Sequence, residues 1–570
     1  MQEEFILGIN GWHVKGHDAS ASLIRCKTDG SVEMVAAAEE ERFNGVKHAY
    51  DTLPYKAVKF CLDTIGIRAE DLSAVAIPFE YPKIYADRGL NFNITDAELK
   101  RQLFPSLEKQ DKPEIVYVNH HLAHVLSAFS PSMMESSVVM IVDGQGENES
   151  TTLWIVRNSG STVQKISFSG IESSLGYFYE ALTEFVGFKS DETGKTMGIA
   201  PYGNPNKYKK HLEEIIKVDD CVVKVLGSEV KLGLQSVPYF PVDEQHQVRS
   251  FWLRKFSEVT GLIPNDNSRR YSFRNFPKDY RDLAAAGQGL VETVLLTLAQ
   301  QARLRSAEND LCISGGVGLN CVANGKIVET GVFRRVYVQP ASNDAGTSLG
   351  AALEIAREKG YSVGKVHMIP YLGLGFSDAD IVNFLKRSNV DFLANDDASN
   401  LIADLVVRGK VVGLFQGRAE FGPRALGNRS YIADPRTRHM QNYLNQFVKD
   451  REDGRPLAPS LIDSESANFF GRKLEAPHMT VAYRIADGLE AITHVDHSAR
   501  PQIVDEYSNP IFYRQLIKIK DKIGIGVVVN TSLNLHGPII NTPQQALELL
   551  EKTGAAAIAF NNKYVVMKNN

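Results

Sequence analysis

The chain carries the same strand plan twice. Residues 5–10, 19–24 and 32–38 form three short apolar-rich runs, with Asp29-Gly30 as a hairpin signal between the last two. The plan recurs at 138–142, 151–156 and 165–169, where Asn158-Ser159-Gly160 supplies the corresponding turn. Two consecutive units of three strands, separated by helix-like stretches, predict an α/β fold with an internal duplication.

Between the units lies Asn119-His120-His121-Leu122-Ala123-His124, directly after the apolar run 115–118. Asn119 is a natural helix N-cap, so His120 and His124 stand at i and i+4 on one face, about 5–6 Å apart. That is the spacing a single metal ion needs; two histidines sharing a surface face is the alternative. Asp143 closes the run 137–142, and Asp344 sits between the run 336–338 and a helix expected from Thr347. Strand ends are where open α/β sheets bind ligands, which makes His120, His124, Asp143 and Asp344 a candidate metal set. A mixed nitrogen and carboxylate set suits iron(II), manganese or zinc without choosing among them. The run 311–314 leads into Gly315-Gly316-Val317-Gly318-Leu319-Asn320, a strand, glycine turn and helix start that admits a phosphate or a nucleotide edge, or serves only as a packing turn. Residues 52–65 read as an amphipathic helix, 97–107 as a surface helix and 282–305 as a long buried one. Lys195 is flanked by Gly194 and Gly198 without the full spacing of a P-loop, and 221–275 shows no clean periodicity.

Residues 361–376 read as a linker, dividing a first domain at 1–360 from a second at 377–570. In the second, Arg418, Arg424 and Arg429 lie in a glycine-rich run at 416–430, followed by Lys449, Arg451 and Arg455, and a polar turn at 530–534 ends the strand 526–529. Guanidinium groups grip phosphate bidentately and lysine adds a point charge, so the cluster predicts an anionic substrate; ion pairing on the surface is the alternative for any one arginine. A formal net charge of −5 over 570 residues argues against nucleic-acid and membrane partners. Five scattered cysteines without C-x-x-C spacing suggest neither a disulfide framework nor a zinc knuckle. No apolar run reaches about 20 residues, and a cytoplasmic location is expected.

The strand units resemble the hairpins of the actin-like ATPase superfamily. More specifically, Gly11-Trp12 with His17-Asp18-Ala19-Ser20-Ala21, Glu39-Glu40-Glu41-Arg42-Phe43 with Lys47-His48, the histidine motif, Val142-Asp143-Gly144-Gln145-Gly146-Glu147, 314–320 and Gly422-Pro423-Arg424-Ala425-Leu426-Gly427 together resemble the antibiotic and nodulation-factor O-carbamoyltransferases. That resemblance implies a duplicated domain like the threonylcarbamoyl-transfer proteins followed by a YrdC-like domain. It implies two steps: ATP and carbamoyl phosphate give a carbamoyl-adenylate, whose carbamoyl group then passes to a hydroxyl of a small-molecule natural product. Carried over by motif, Arg424, Lys449, Arg455, Asn530 and Ser532 hold carbamoyl phosphate and nucleotide, and Lys47 contacts the carbamoyl-bearing intermediate. Gly315, Gly316 and Asn320 hold the adenylate, and the four metal candidates hold a divalent ion, iron(II) by resemblance, with Mg2+ accompanying ATP. His17 is the expected general base, since imidazole titrates near neutral pH, and Asp18 its orienting partner. The loop around Lys15 departs from the tobramycin-type pattern, which implies a different acceptor. A threonylcarbamoyl-transfer enzyme acting on tRNA or an actin-like sugar kinase would share parts of this pattern.

Overall fold

The computed structural model describes residues 3–13, 16–107, 112–230, 244–266 and 272–568; Lys15 lies outside them. The chain forms two compact units, Met1–Ser268 with Pro277–Met368 and Arg269–Phe276 with Ile369–Asn570.

The duplication is explicit in the first unit. Strands Glu4–Asn10, Ser20–Cys26 and Val32–Glu39 form an antiparallel meander, and Leu72–Ile77 and Glu114–Tyr117 extend it in parallel from its first strand. Ser137–Val142, Glu149–Arg157 and Thr162–Gly170, with Asp310–Ser314 and Arg335–Val338, repeat the order and the directions. Both expected turns form, with Gly30 at φ 85° and Gly160 at φ 89° supplying the left-handed residue each needs. The initiating strand of each unit has neighbours on both edges and a buried surface; Ser137–Val142 is buried throughout. That explains its unbroken Val and Ile run.

Two helices join the sheets. Thr347–Glu358 packs on the first sheet, His120–Phe129 on the second, and each packs on the other. The approach is backbone to backbone, because a Cβ at Gly350 would stand 1.7 Å from the Ala123 carbonyl oxygen. Ser20 and Ser22 anchor the start of Thr347–Glu358: the Ser20 hydroxyl donates to the Ala345 carbonyl at 2.8 Å, and Ser22 Oγ lies 2.8 Å from Ser348 Oγ.

The long buried helix expected at 282–305 forms, and two other expectations are corrected. Helix Asp96–Leu103 is not simply a surface element, because Leu99 and Leu103 are buried in the core of the first sheet. Within 221–275 stands helix Glu244–Thr260, held by a buried aromatic cluster of Trp252, Phe256 and Phe178 rather than by a regular apolar stripe. Helix Lys278–Ser306 is long and apolar enough to cross a membrane by composition, and 72% of its apolar window is buried inside the first unit.

The second unit is built on an eight-stranded mixed sheet, covered by helices Ser399–Val407 and Pro510–Ile523 over a core that includes Ile402, Phe512, Leu516 and Val528. The expected polar turn at 530–534 begins later than its composition suggests. Strand Val527–Ser532 runs on through Asn530, which pairs with Ile432 and Ala458 and donates its side-chain amide to Ser460 Oγ at 2.8 Å.

Candidate metal centre

Asn119 caps the histidine helix, its Oδ1 accepting from the Leu122 amide at 3.0 Å. The cap sets the helix phase, and His120 and His124 then point to the same place, their ring centroids 4.7 Å apart. Asp143, one residue past the central strand of the second sheet, meets them there. Its Oδ2 lies 3.3 Å from His120 Nε2 and 3.1 Å from His124 Nε2. Asp344, in the turn that opens Thr347–Glu358, brings Oδ1 to 3.7 and 3.6 Å from the same nitrogens. One donor atom from each of these four buried residues lies within 4.8 Å of the others.

The surroundings orient each donor. His120 Nδ1 donates to the Pro78 carbonyl at 3.0 Å, and its ring stacks on Phe79 at 4.0 Å. That bond leaves Nε2 with the lone pair in the neutral ring. His124 Nδ1 lies 3.0 Å from Ser314 Oγ. Asp143 Oδ1 accepts from the amides of Gly144 at 2.8 Å and Gly316 at 3.0 Å, which turns Oδ2 towards the histidines. Gly315 has φ 90°, and a Cβ there would stand 2.3 Å from the Val142 carbonyl oxygen, so this turn requires glycine. Burial works against charge on His124, but Asp143 and Asp344 outweigh it and raise its pKa to about 9. Burial likewise opposes ionisation of Asp143, and the two imidazoles hold it well below the usual carboxylate range. His121 differs: burial and the neighbouring His120 keep it neutral, facing Thr152 Oγ1 at 2.8 Å. Two imidazoles and two carboxylates converging in the protein interior fit a divalent cation in charge and donor chemistry.

His17 stands at the edge of this cluster, half exposed, with Nε2 3.7 Å from Asp344 Oδ2 and Nδ1 3.1 Å from Asp18 Oδ2. Desolvation lowers its pKa, but Asp344 and Asp18 raise it further, to about 10. Gly316 serves the cluster through its amide. Asn320 is engaged as the cap of helix Cys321–Thr330, accepting from Ala323 N at 3.1 Å, and in a reciprocal amide pair with Gln288. Lys47 is exposed in the turn Lys47–Ala49. Lys195 lies in helix Thr193–Ile199 and pairs with Glu192 at 2.7 Å.

In the second unit Lys449 is buried, and its ammonium donates to the carbonyls of Ser532 and Asn534, each at 2.7 Å, and to Ser532 Oγ at 3.2 Å. Burial, with Arg451 and Arg455 adding repulsion, pushes its pKa well below the usual lysine value. Arg451 is depressed for the same reasons, burial first and Arg455 next. An anion would relieve both. Arg455 pairs with Glu452 at 3.3 Å, and Arg424 is half-buried. Two arginines of the 416–430 run are scaffold: Arg418 Nε donates to the Gly373 carbonyl at 3.0 Å, and the buried Arg429 lies over Phe415 at 3.8 Å and donates to the Leu374 carbonyl at 2.8 Å.

Residues 80–353 match the family model described as the carbamoyltransferase N-terminus, and 403–568 match the carbamoyltransferase C-terminus. Nodulation protein NolNO of Sinorhizobium fredii is 30% identical over 93% of this chain and 76% of that protein. The chain belongs to the carbamoyltransferase family. The 3'-hydroxymethylcephem-O-carbamoyltransferase of Amycolatopsis lactamdurans is 38% identical over 44% of this carbamoyltransferase and 47% of its own length. Among solved structures, full-length HypF aligns over 63% of the chain and 56% of its own at 16% identity and a TM-score of 0.31, too distant to bear on the fold.

Sequence reasoning missed the residues that brace the carbamoyltransferase's histidine helix. Buried Glu147 accepts from the amides of His120 at 2.9 Å and Glu80 at 3.2 Å, and from Asn119 Nδ2 at 2.6 Å. Arg88 donates to the Glu147 carbonyl at 2.9 Å and forms a fully buried pair with Glu244 at 2.9 and 3.0 Å. Its only sequence signal was the place of Glu147 in the Asp143 motif. Replacing Glu244 with Leu strands the Arg88 guanidinium in the interior, and the first unit is expected to lose about 3–5 kcal/mol. Urea unfolding followed by tryptophan fluorescence checks this, and the Arg88→Met, Glu244→Leu double variant should recover part of the loss.

Proposed function

We propose that this carbamoyltransferase activates carbamoyl phosphate with ATP in its second, YrdC-like unit and transfers the carbamoyl group to a small-molecule hydroxyl in its first. The observation that carries the reading is His17 beside the converging His120, His124, Asp143 and Asp344. The name of the cephem relative, an O-carbamoyltransferase acting on a hydroxymethyl group, supports a hydroxyl acceptor.

In the second unit Arg424, Lys449 and Arg455 supply charge for carbamoyl phosphate and nucleotide, with Asn530 and Ser532 as polar contacts. Water displaces phosphate from carbamoyl phosphate to leave carbamate, a carbamate oxygen bonds to the α-phosphorus of ATP as pyrophosphate leaves, and the carbamoyl carbon then carries a stable leaving group, AMP. In the first unit Gly315, Gly316, Asn320 and Lys47 receive the adenylate. His17 donates Nδ1–H to Asp18, which leaves Nε2 to take the acceptor's hydroxyl proton. The hydroxyl oxygen then bonds to the carbamoyl carbon, the carbon–oxygen bond to AMP breaks, and AMP departs with its electron pair. A divalent cation at the four ligands, iron(II) by family resemblance, would offset the charge of Asp344 and Asp143, part of what raises the His17 pKa, and so favour the neutral, proton-accepting imidazole.

The test is exchange of labelled pyrophosphate into ATP, dependent on carbamoyl phosphate, with AMP rather than ADP accumulating when a hydroxylated acceptor is present. Arg424→Ala should lower exchange by about 10²-fold or more while leaving transfer from supplied carbamoyl-adenylate intact. Loss of both activities would refute the division of labour between the units.

A further inference from the structure

Beyond the expected His17–Asp18 contact lies His48, which neither the proposed chemistry nor the metal cluster uses. It belongs to a different segment, the turn Lys47–Ala49 after the third strand. Asp18 is clamped to it at two points: the Asp18 amide donates to the His48 carbonyl at 2.6 Å, and His48 Nδ1 donates to Asp18 Oδ1 at 2.8 Å. The other carboxylate oxygen of Asp18 faces His17 Nδ1 at 3.1 Å. Asp18 and His48 both adopt left-handed backbone conformations, φ 52° and 64°, which are costly for residues with a Cβ and collect where geometry is functionally constrained. The surroundings hold both strained residues. Asn10 Nδ2 donates to the carbonyls of His17 at 3.0 Å and Asp18 at 3.1 Å, and the His48 amide donates to Glu41 Oε2 at 2.7 Å.

The His17 side chain is 47% exposed, whereas those of Asp18 and His48 are 10% and 25% exposed. An exposed imidazole samples several rotamers unless a fixed partner selects one. Asp18 is that partner, and with one oxygen held by His48 its carboxylate cannot rotate away. His48 also keeps Asp18 ionised despite its burial, as His17 does. We propose that His48 is a positioning residue, acting through Asp18 to set the ring orientation and tautomer of His17 for carbamoyl transfer. The inference rests on His17 being the base.

The test compares His48→Gly and His48→Asn in the full-length chain with its metal bound. Both residues tolerate a φ near 64°, so neither adds backbone strain, and the asparagine Nδ2 can donate to Asp18 where the imidazole Nδ1 did. His48→Gly should lower kcat for carbamoyl transfer about 10–100-fold with KM for the acceptor changed less than about threefold, and His48→Asn should restore kcat to within about threefold. Carbamoyl-phosphate-dependent pyrophosphate exchange and metal content should equal wild type in both. A residue that merely ties two loops together would not show this kcat-specific loss with rescue by a single donor. Transfer at the wild-type rate by His48→Gly, or an asparagine variant as slow as the glycine one, overturns the proposal. If the glycine variant does not fold, His48→Gln, whose longer side chain misplaces the amide, takes its place in the comparison with His48→Asn. His17→Asn separates the readings: full transfer activity in that variant removes both, whereas an inactive His17→Asn beside a fully active His48→Gly removes this one alone.

Discussion

Asp344→Ala protein is expected to purify without stoichiometric divalent metal and to transfer carbamoyl only at a residual rate. Asp344 faces both histidine Nε2 atoms and His17 at once, at 3.6–3.7 Å. Its loss removes one of four donors and half of the carboxylate charge that a cation would balance. Removing an outer partner of a metal ligand costs roughly 10–100-fold in affinity, and removing a ligand should exceed that. His120→Ala should behave alike, because its Nε2, oriented by the Nδ1 bond to the Pro78 carbonyl, is one of the four converging donors. Elemental analysis of both variants is the direct measurement, and undiminished metal in both would reject the four-residue site. Pyrophosphate exchange should survive, since the charges proposed for activation belong to the second unit.

For His17→Asn the expectation is a fall of about 10²–10⁴ in carbamoyl transfer, with carbamoyl-phosphate-dependent pyrophosphate release retained. Asparagine keeps a hydrogen bond to Asp18 but cannot accept a proton at neutral pH. The half-exposed position of His17, beside a buried cluster, is where an acceptor hydroxyl can reach it, and its replacement should leave the fold and the metal undisturbed. Mass spectrometry of the acceptor and a pyrophosphate-release assay on the same sample separate the two steps. Near wild-type transfer would reduce His17 to a loop contact of Asp18 and Asp344.

The duplicated sheets were legible because their signals are local. Runs of Val, Ile and Ala bounded by Asp29-Gly30 or Asn158-Ser159-Gly160 carry strand and turn in the same few residues, and an Asn cap with histidines at i and i+4 carries a helix face. Asp143 could be named because it closes a strand-like run, and Asp344 because it sits in the loop between such a run and a helix. What escaped was contact between distant segments. His48 reaches Asp18 across the first sheet's meander, and Glu244 reaches Arg88 and Gln145 from a helix whose burial rests on clustered aromatics rather than periodicity. Asn530 was misplaced for a related reason: polar composition suggests a turn, yet a buried amide fits mid-strand once Ser460 and Gln502 on neighbouring strands accept from it. The basic run at 416–430 could be read only as a group, and within it the Arg429 guanidinium is spent on the Gln416 and Leu374 carbonyls and the Phe415 face.

The order of the four candidate ligands along the chain makes completion of the cluster a late event in synthesis. His120 and His124 leave the ribosome after the strands of the first sheet, and Asp143 after one strand of the second. Asp344 follows all ten. A growing chain can therefore present at most three of the four donors, and Asp344 joins them only when Thr347–Glu358 docks against the histidine helix through Gly350. A cation that needs all four donors would be held only by the finished fold, and the expression medium is then expected to alter which divalent ion elemental analysis finds in the protein.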